Sequence, residues 1–266
     1  MRILSVLGLT LMLTGCGSSG ESSNSSAPTG LRVVVQGSTA TFAHSDGLSG
    51  QTARSVTAGV RRLELLDESA GTSFVLLDGT GTADVTVSYD EGASTTLATV
   101  TPSAIVPGHY TKARMIQDWS RFEIDATLHE ASGATAGALR ALQVTSDGTV
   151  VEGETRAAGH YEHQFVAAGH DDHFAGDDAL LPEHSTTAGA EAVVENGLWA
   201  VYFPVDVTIT QADADLVIVV NMDGAFRWTD VPGGGNQESV YDFAPPLYEP
   251  VEQFGGNRFD VSYMPR

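Results

Sequence analysis

The chain has one cysteine, Cys16, and one lysine, Lys112. A lone cysteine excludes an internal disulfide, so no covalent staple holds the fold. Basic residues are scarce throughout: 13 stand against 34 acidic ones, for a formal net charge of −21. Such a field repels nucleic acid and anionic lipid headgroups and excludes both as main partners. It favours cations, and it keeps a surface hydrated in a salty medium. After the N-terminal segment, no run approaches the ~20 apolar residues that a membrane-spanning helix needs. Helical periodicity is also missing; residues 188–195 offer one or two turns at most. There is no Gly-x-Ser-x-Gly elbow and no phosphate-cradling glycine loop. His129-Glu130 lacks the second histidine of His-Glu-x-x-His. With no enzyme motif, the chain reads as a non-enzymatic interaction or structural module.

What is present starts with a positive residue, Arg2, and a run from Ile3 to Leu13 that is apolar apart from Ser5, Gly8 and Thr10. That suits a signal-peptide core and is too short for a spanning helix. Leu13-Thr14-Gly15-Cys16 then resembles a bacterial lipobox. The resemblance implies cleavage before Cys16 and acylation of its thiol, which would otherwise be a liability outside the cytoplasm. Each buried methylene contributes ~0.8 kcal/mol, and two or more acyl chains anchor stably. Gly17 stands where an aspartate would resemble the inner-membrane retention signal of Gram-negative lipoproteins. The resemblance therefore implies an outer-membrane anchor. Residues 17–29 are Gly/Ser-rich with no apolar face to bury, as expected of a flexible tether. The chain divides into a signal peptide (1–15), a tether (16–29) and a body (30–266).

The body is a series of short β-rich runs broken by Gly, Asp, Ser and Pro. Strands are expected at 31–36, 56–66, 73–77, 83–89, 199–209, 216–222 and 259–263. Asp78-Gly79-Thr80-Gly81 signals a turn. Residues 110–117 and 121–129 read as a hairpin across Asp118–Ser120. Residues 139–145 and 149–152 read as another across Ser146-Asp147-Gly148. Many short strands without helices predict an antiparallel β-sandwich of Greek-key type. A composition shift near Asp147 leaves two arrangements open, one body with a long insertion, which we prefer, or two subdomains.

Pro107-Gly108-His109-Tyr110-Thr111-Lys112-Ala113-Arg114 resembles the Pro/Ala-Gly-x-Tyr-Thr-x-x-Arg stretch of prealbumin-like β-sandwich domains in bacterial surface lipoproteins. His109 stands where that pattern more often has a small residue. The resemblance spans about residues 55–145 and leaves 146–266 uncovered. The family's function is largely unassigned, so what it implies is a fold: Pro-Gly makes the turn and the tyrosine enters the next strand.

Five of the eight histidines fall between positions 160 and 184: His160, His163, His170, His173 and His184. Imidazole with carboxylate is the donor set of extracellular zinc and copper sites where thiols are missing. On a strand His160 and His163 face opposite ways. The expected chelate is therefore His163 or His160 with His170 and His173 from an Asp/Gly-rich loop, joined by His184 or Asp171. The competing reading is a solvated acidic loop with incidental histidines. Asp213-Ala-Asp215 and Asn221-Met-Asp223-Gly224 lack the spacing of a calcium loop and read as strand-end turns. Phe226-Arg227-Trp228 before Pro232-Gly233-Gly234-Gly235 sets aromatics beside a glycine loop. This is a ligand surface or, as we prefer, a buried core tryptophan.

The anchor is directly testable. Radiolabelled fatty acid is expected to enter the wild-type chain and not Cys16→Ser, whose precursor stays uncleaved. Equal labelling of the two would remove the lipobox assignment.

Overall fold

The computed structural model describes residues 30–80 and 84–266. The signal segment, Cys16 and the tether lie outside the described residues. The body is all-β, with several largely antiparallel sheets. Its only helical element among the described residues is the 3-10 turn Pro102–Ala104.

One strand organises the rest. Gly108–Glu130 runs unbroken for 23 residues. A strand that long must satisfy two edges of backbone hydrogen bonds, and it does so with a change of partner. Along one edge, its first half pairs with Leu198–Ile209 and its second half with Gly133–Val144. Along the other edge lies Ser55–Asp67, followed by a short parallel contact with Asp242–Ala244 at Thr127 and Leu128. The expected hairpin across Asp118–Ser120 is therefore not formed. The polar residues there mark the exchange of partners.

The exchange has a physical signature. Ala113 and Met115 face the core in the first half, whereas Phe122, Ile124, Ala126 and Leu128 do so in the second. The inward phase thus moves from odd to even numbers, a one-residue slip that reverses the faces of a strand. Opposite it, Ser55–Asp67 carries register shifts at Gly59/Val60 and Val60/Arg62. This bulge aims the Arg61 guanidinium at Asp118, with Nε donating to Oδ2 at 2.6 Å and Nη2 to Oδ1. Trp119 lies so close over Gly59 that a Cβ there would sit 2.1 Å from its indole nitrogen, so only glycine fits. The wedge between the diverging partners is filled by residues 145–149. Thr145 Oγ1 donates to the Gln117 carbonyl at 2.7 Å, and the Trp199 amide donates to Ser146 Oγ at 3.3 Å. The expected hairpin across Ser146-Asp147-Gly148 is accordingly replaced by this plug. Thr149–Val151 instead pairs with Glu154–Arg156 across Glu152-Gly153, both at positive φ.

The large sheet curls on from Gly133–Val144 to Tyr161–Ala167 and the edge strand His170–Gly176. At its other end, residues expected to give a helical turn form the strand Glu191–Glu195. It joins Leu198–Ile209 through Asn196-Gly197, whose positive φ values are those of a tight hairpin turn. A second sheet, Arg258–Pro265, Ala214–Asn221, Leu31–Ser38 and Ser94–Val100, contains a parallel central pair. It meets the large sheet through Phe259, which stacks on Phe203 at 4.2 Å and 11°. The main buried cluster has members from Leu31 to Phe259, on both sides of Asp147. The long strand opens at Gly108, directly after Pro107, and Tyr110 is buried with its hydroxyl donating to the Val106 carbonyl at 2.9 Å.

Candidate functional site

The five histidines of the 160–184 segment are distributed over the molecule. His170 and His173, expected in a loop, lie on the strand His170–Gly176. Three positions apart on a strand, they take opposite faces, because side chains alternate. His170 Nδ1 lies 3.0 Å from Asp172 Oδ2, and His173, largely exposed, lies 3.3 Å from Asp171 Oδ1. His160 is buried with both ring nitrogens engaged, Nδ1 at 2.6 Å from Asp177 Oδ1 and Nε2 at 3.1 Å from Glu162 Oε1. His184 packs near Gly255, within reach of Trp199. Among the described residues, no three His, Cys, Asp or Glu side chains gather as a metal-ligand set. The physical reason is the strand: it spreads residues that a loop would have gathered. The Asp213 and Asp223 turns are spent on the fold. Asp213 accepts the Gly30 amide at 2.6 Å, and Asp223 accepts the Phe42 amide at 2.8 Å.

His163 stands elsewhere. It faces inward and lines a cleft of about 450 Å³. That volume lies in the range of small-molecule sites, and the walls are aromatic as such sites usually are. Tyr161 and Tyr248 flank His163 at ring distances of 4.7 and 5.3 Å. Phe226 and Tyr241, edge-to-face at 5.2 Å, line the cleft as well. Trp228 beside them is fully buried. The Phe226-Arg227-Trp228 stretch therefore gives one wall residue and one core residue.

Two lips frame this cleft, each tied down by polar pairs. One lip is residues 178–180. The contact between His160 and Asp177 holds its base, Ala179 donates its amide to the Gly159 carbonyl at 3.0 Å, and Gln143 Nε2 donates to the Leu180 carbonyl at 3.0 Å. The other lip is the turn between Asp242–Ala244 and Leu247–Tyr248, where Phe243 stacks on Tyr248 at 5.5 Å and 4°. Buried Glu249 accepts the Asp242 amide at 2.9 Å and the Val231 amide at 2.8 Å. Asp242 in turn lies 2.7 Å from His129 Nε2, on the long strand. Each lip ends in an exposed leucine, Leu180 at 85% and Leu247 at 73%, the two most exposed large apolar side chains described.

Two polar atoms here lack hydrogen-bond partners, His163 Nδ1 and the Tyr248 hydroxyl, both shut off from water. Burial holds the His163 imidazole neutral, its pKa pushed down to about 4. The Tyr248 hydroxyl meets no acceptor in good geometry. The neighbouring Tyr161 phenol is still near enough to add to the burial that raises its pKa. Buried polar atoms without partners are rare in folded proteins.

A larger hollow of about 600 Å³ opens against the same sheet but is crossed by ion pairs, Arg140 with Glu123 and Arg121 with Glu152. Its charged groups satisfy one another. At the partner exchange, Asp84 lies beside Asp118. Burial first, and then the Asp118 charge, pushes its pKa up to about 6, partly offset by Arg61.

Tyr161, Tyr248, Leu180 and Leu247 were not singled out in the sequence. They converge from three separate segments, and only the two leucines, apolar residues flanked by Asp, Ala, Pro and Tyr, carry a local signal. Comparison with known protein families, with curated proteins and with solved structures found no match for this chain.

The buried histidines make stability pH-dependent. His184, like His163, is pushed down to about 4, by burial, with the Pro182 carbonyl opposing. Unfolded histidine takes its proton near 6.5. Between 6.5 and 4 the unfolded chain thus binds more protons, and stability falls as the pH falls through that window. The loss is expected to reach roughly 3 kcal/mol per histidine. Asp84 opposes it between 3.8 and 6, because its raised pKa makes the folded chain the better proton binder there. Urea midpoints at pH 7 and 4.5 check this. The wild type is expected to lose stability at the lower pH, and His163→Phe to lose markedly less. Equal midpoints at the two pH values would contradict the burial of these imidazoles.

Proposed function

We propose that this chain is a lipid-anchored protein of the cell envelope that acts as a non-enzymatic binding module. Its ligand seat is the aromatic cleft between the 178–180 lip and the 245–248 turn. The lipobox, the signal core before it and the Gly/Ser tether after it support an outer-membrane anchor. The body is read as a Greek-key-type β-sandwich, the four-stranded sheet lying over the curled larger one.

One observation carries the binding reading. A cavity of about 450 Å³ with aromatic walls opens between two exposed leucines, and two residues of its wall, His163 and Tyr248, each carry a buried polar atom without a partner. The residues lining it include no Ser, Thr, Cys or Lys. Its carboxylates are either exposed or, as with Glu249, held by backbone amides. The arrangement suits recognition better than catalysis.

Filling the cavity tests this. Ala179 lines the cleft, so Ala179→Trp is expected to occlude it. A neutral aromatic probe such as indole should perturb NMR signals of Tyr161, His163 and Tyr248 in the wild type and leave the variant unaffected. Perturbations scattered over the surface, or identical in the variant, would overturn the reading.

A further inference from the structure

We infer that the cleft selects a small organic cation, a substituted ammonium with an apolar body. This rests on the cleft being the binding seat. The argument comes from what lines it. Three carboxylates, Asp178, Glu249 and Glu252, border the cavity, and no Arg or Lys does. None of the three has a basic partner among the ion pairs of the described residues. Glu249 is buried, and its bonding is completed by neutral N–H donors. Glu252 accepts only the Thr229 hydroxyl, at 3.0 Å. The cleft therefore keeps an uncompensated negative charge. The larger hollow differs, with Arg121 and Arg140 in its lining.

The walls supply the second half of the recognition. Four aromatic side chains, Tyr161, Tyr248, Tyr241 and Phe226, border the cleft, and an alkylated ammonium is drawn to aromatic rings without needing hydrogen bonds. His163 adds no competing positive charge near neutral pH, since burial keeps it neutral. The chain's net charge of −21 raises the local concentration of any cation. An anionic ligand meets repulsion from the three carboxylates and from the net charge. So does the phosphate that accompanies the ammonium of a lipid headgroup, which favours a free cation.

The test compares two molecules of the same shape. Choline carries a trimethylammonium group where 3,3-dimethylbutan-1-ol carries an uncharged tert-butyl group. On the purified full chain in moderate salt, calorimetry is expected to show choline binding about tenfold more tightly than the alcohol. Asp178→Asn with Glu252→Gln, both at exposed positions, is expected to shrink that preference. Circular dichroism confirms that the double variant is folded. If the two molecules bind equally, or the double variant keeps the full preference, charge selection is refuted and the cleft remains a neutral apolar seat. If neither binds while indole still does, the inference again fails and the binding reading stands. If indole fails as well, both fall.

Discussion

The structure depends on one constraint: a 23-residue strand cannot leave either edge unpaired inside a folded chain. Gly108–Glu130 meets that demand by passing from one neighbour to another at Gln117-Asp118. The handover buries a carboxylate, Asp118, which the bulged Arg61 meets with two hydrogen bonds. A buried charge pair is weak evidence for stability, since desolvation offsets its attraction, but removing one partner would leave a costly lone charge. Its value here is positional. It fixes where the strand slips by one residue, and hence which side chains of the second half face inward.

The cleft follows from that choice. The second half of the long strand carries Gly133–Val144 and, beyond it, Tyr161–Ala167 on one side, which bring Tyr161 and His163 to the cavity. On its other side it takes the parallel contact with Asp242–Ala244, which brings Tyr248. Two carboxylate–imidazole pairs hold this geometry. His160 engages Asp177 under one lip, and His129 engages Asp242 under the other.

Much of the architecture is legible in the sequence, and the failures have identifiable causes. The all-β character, the strands near 31–36, 56–66, 199–209 and 216–222, and the buried Trp228 follow from alternation and turn chemistry. The long strand reads as two because Asp118 and Ser120 look like turn residues. The phase slip that accompanies them is the pattern a hairpin would also produce. Knowing that they serve a bulge and a change of partner requires the neighbours. Residues 188–195 look helical through their alanines, yet Asn196-Gly197 immediately after them is a strong hairpin signal that outweighs propensity. The histidine cluster misleads for a different reason. Proximity in sequence counts as proximity in space only in a loop, and the strand His170–Gly176 separates His170 from His173 by face. The aromatic cleft is assembled from segments far apart along the chain, and periodicity holds no information about such meetings.

The partner exchange is the claim on which the rest stands, and amide hydrogen exchange resolved by residue tests it most directly. If Gly108–Glu130 is one strand, the amides of Ser120 and Arg121 lie between paired neighbours on both sides. They will then be protected to the same degree as those of Ile124 and Leu128. Fast exchange confined to 118–121, between two protected flanks, would mean a turn at that point and would contradict the account.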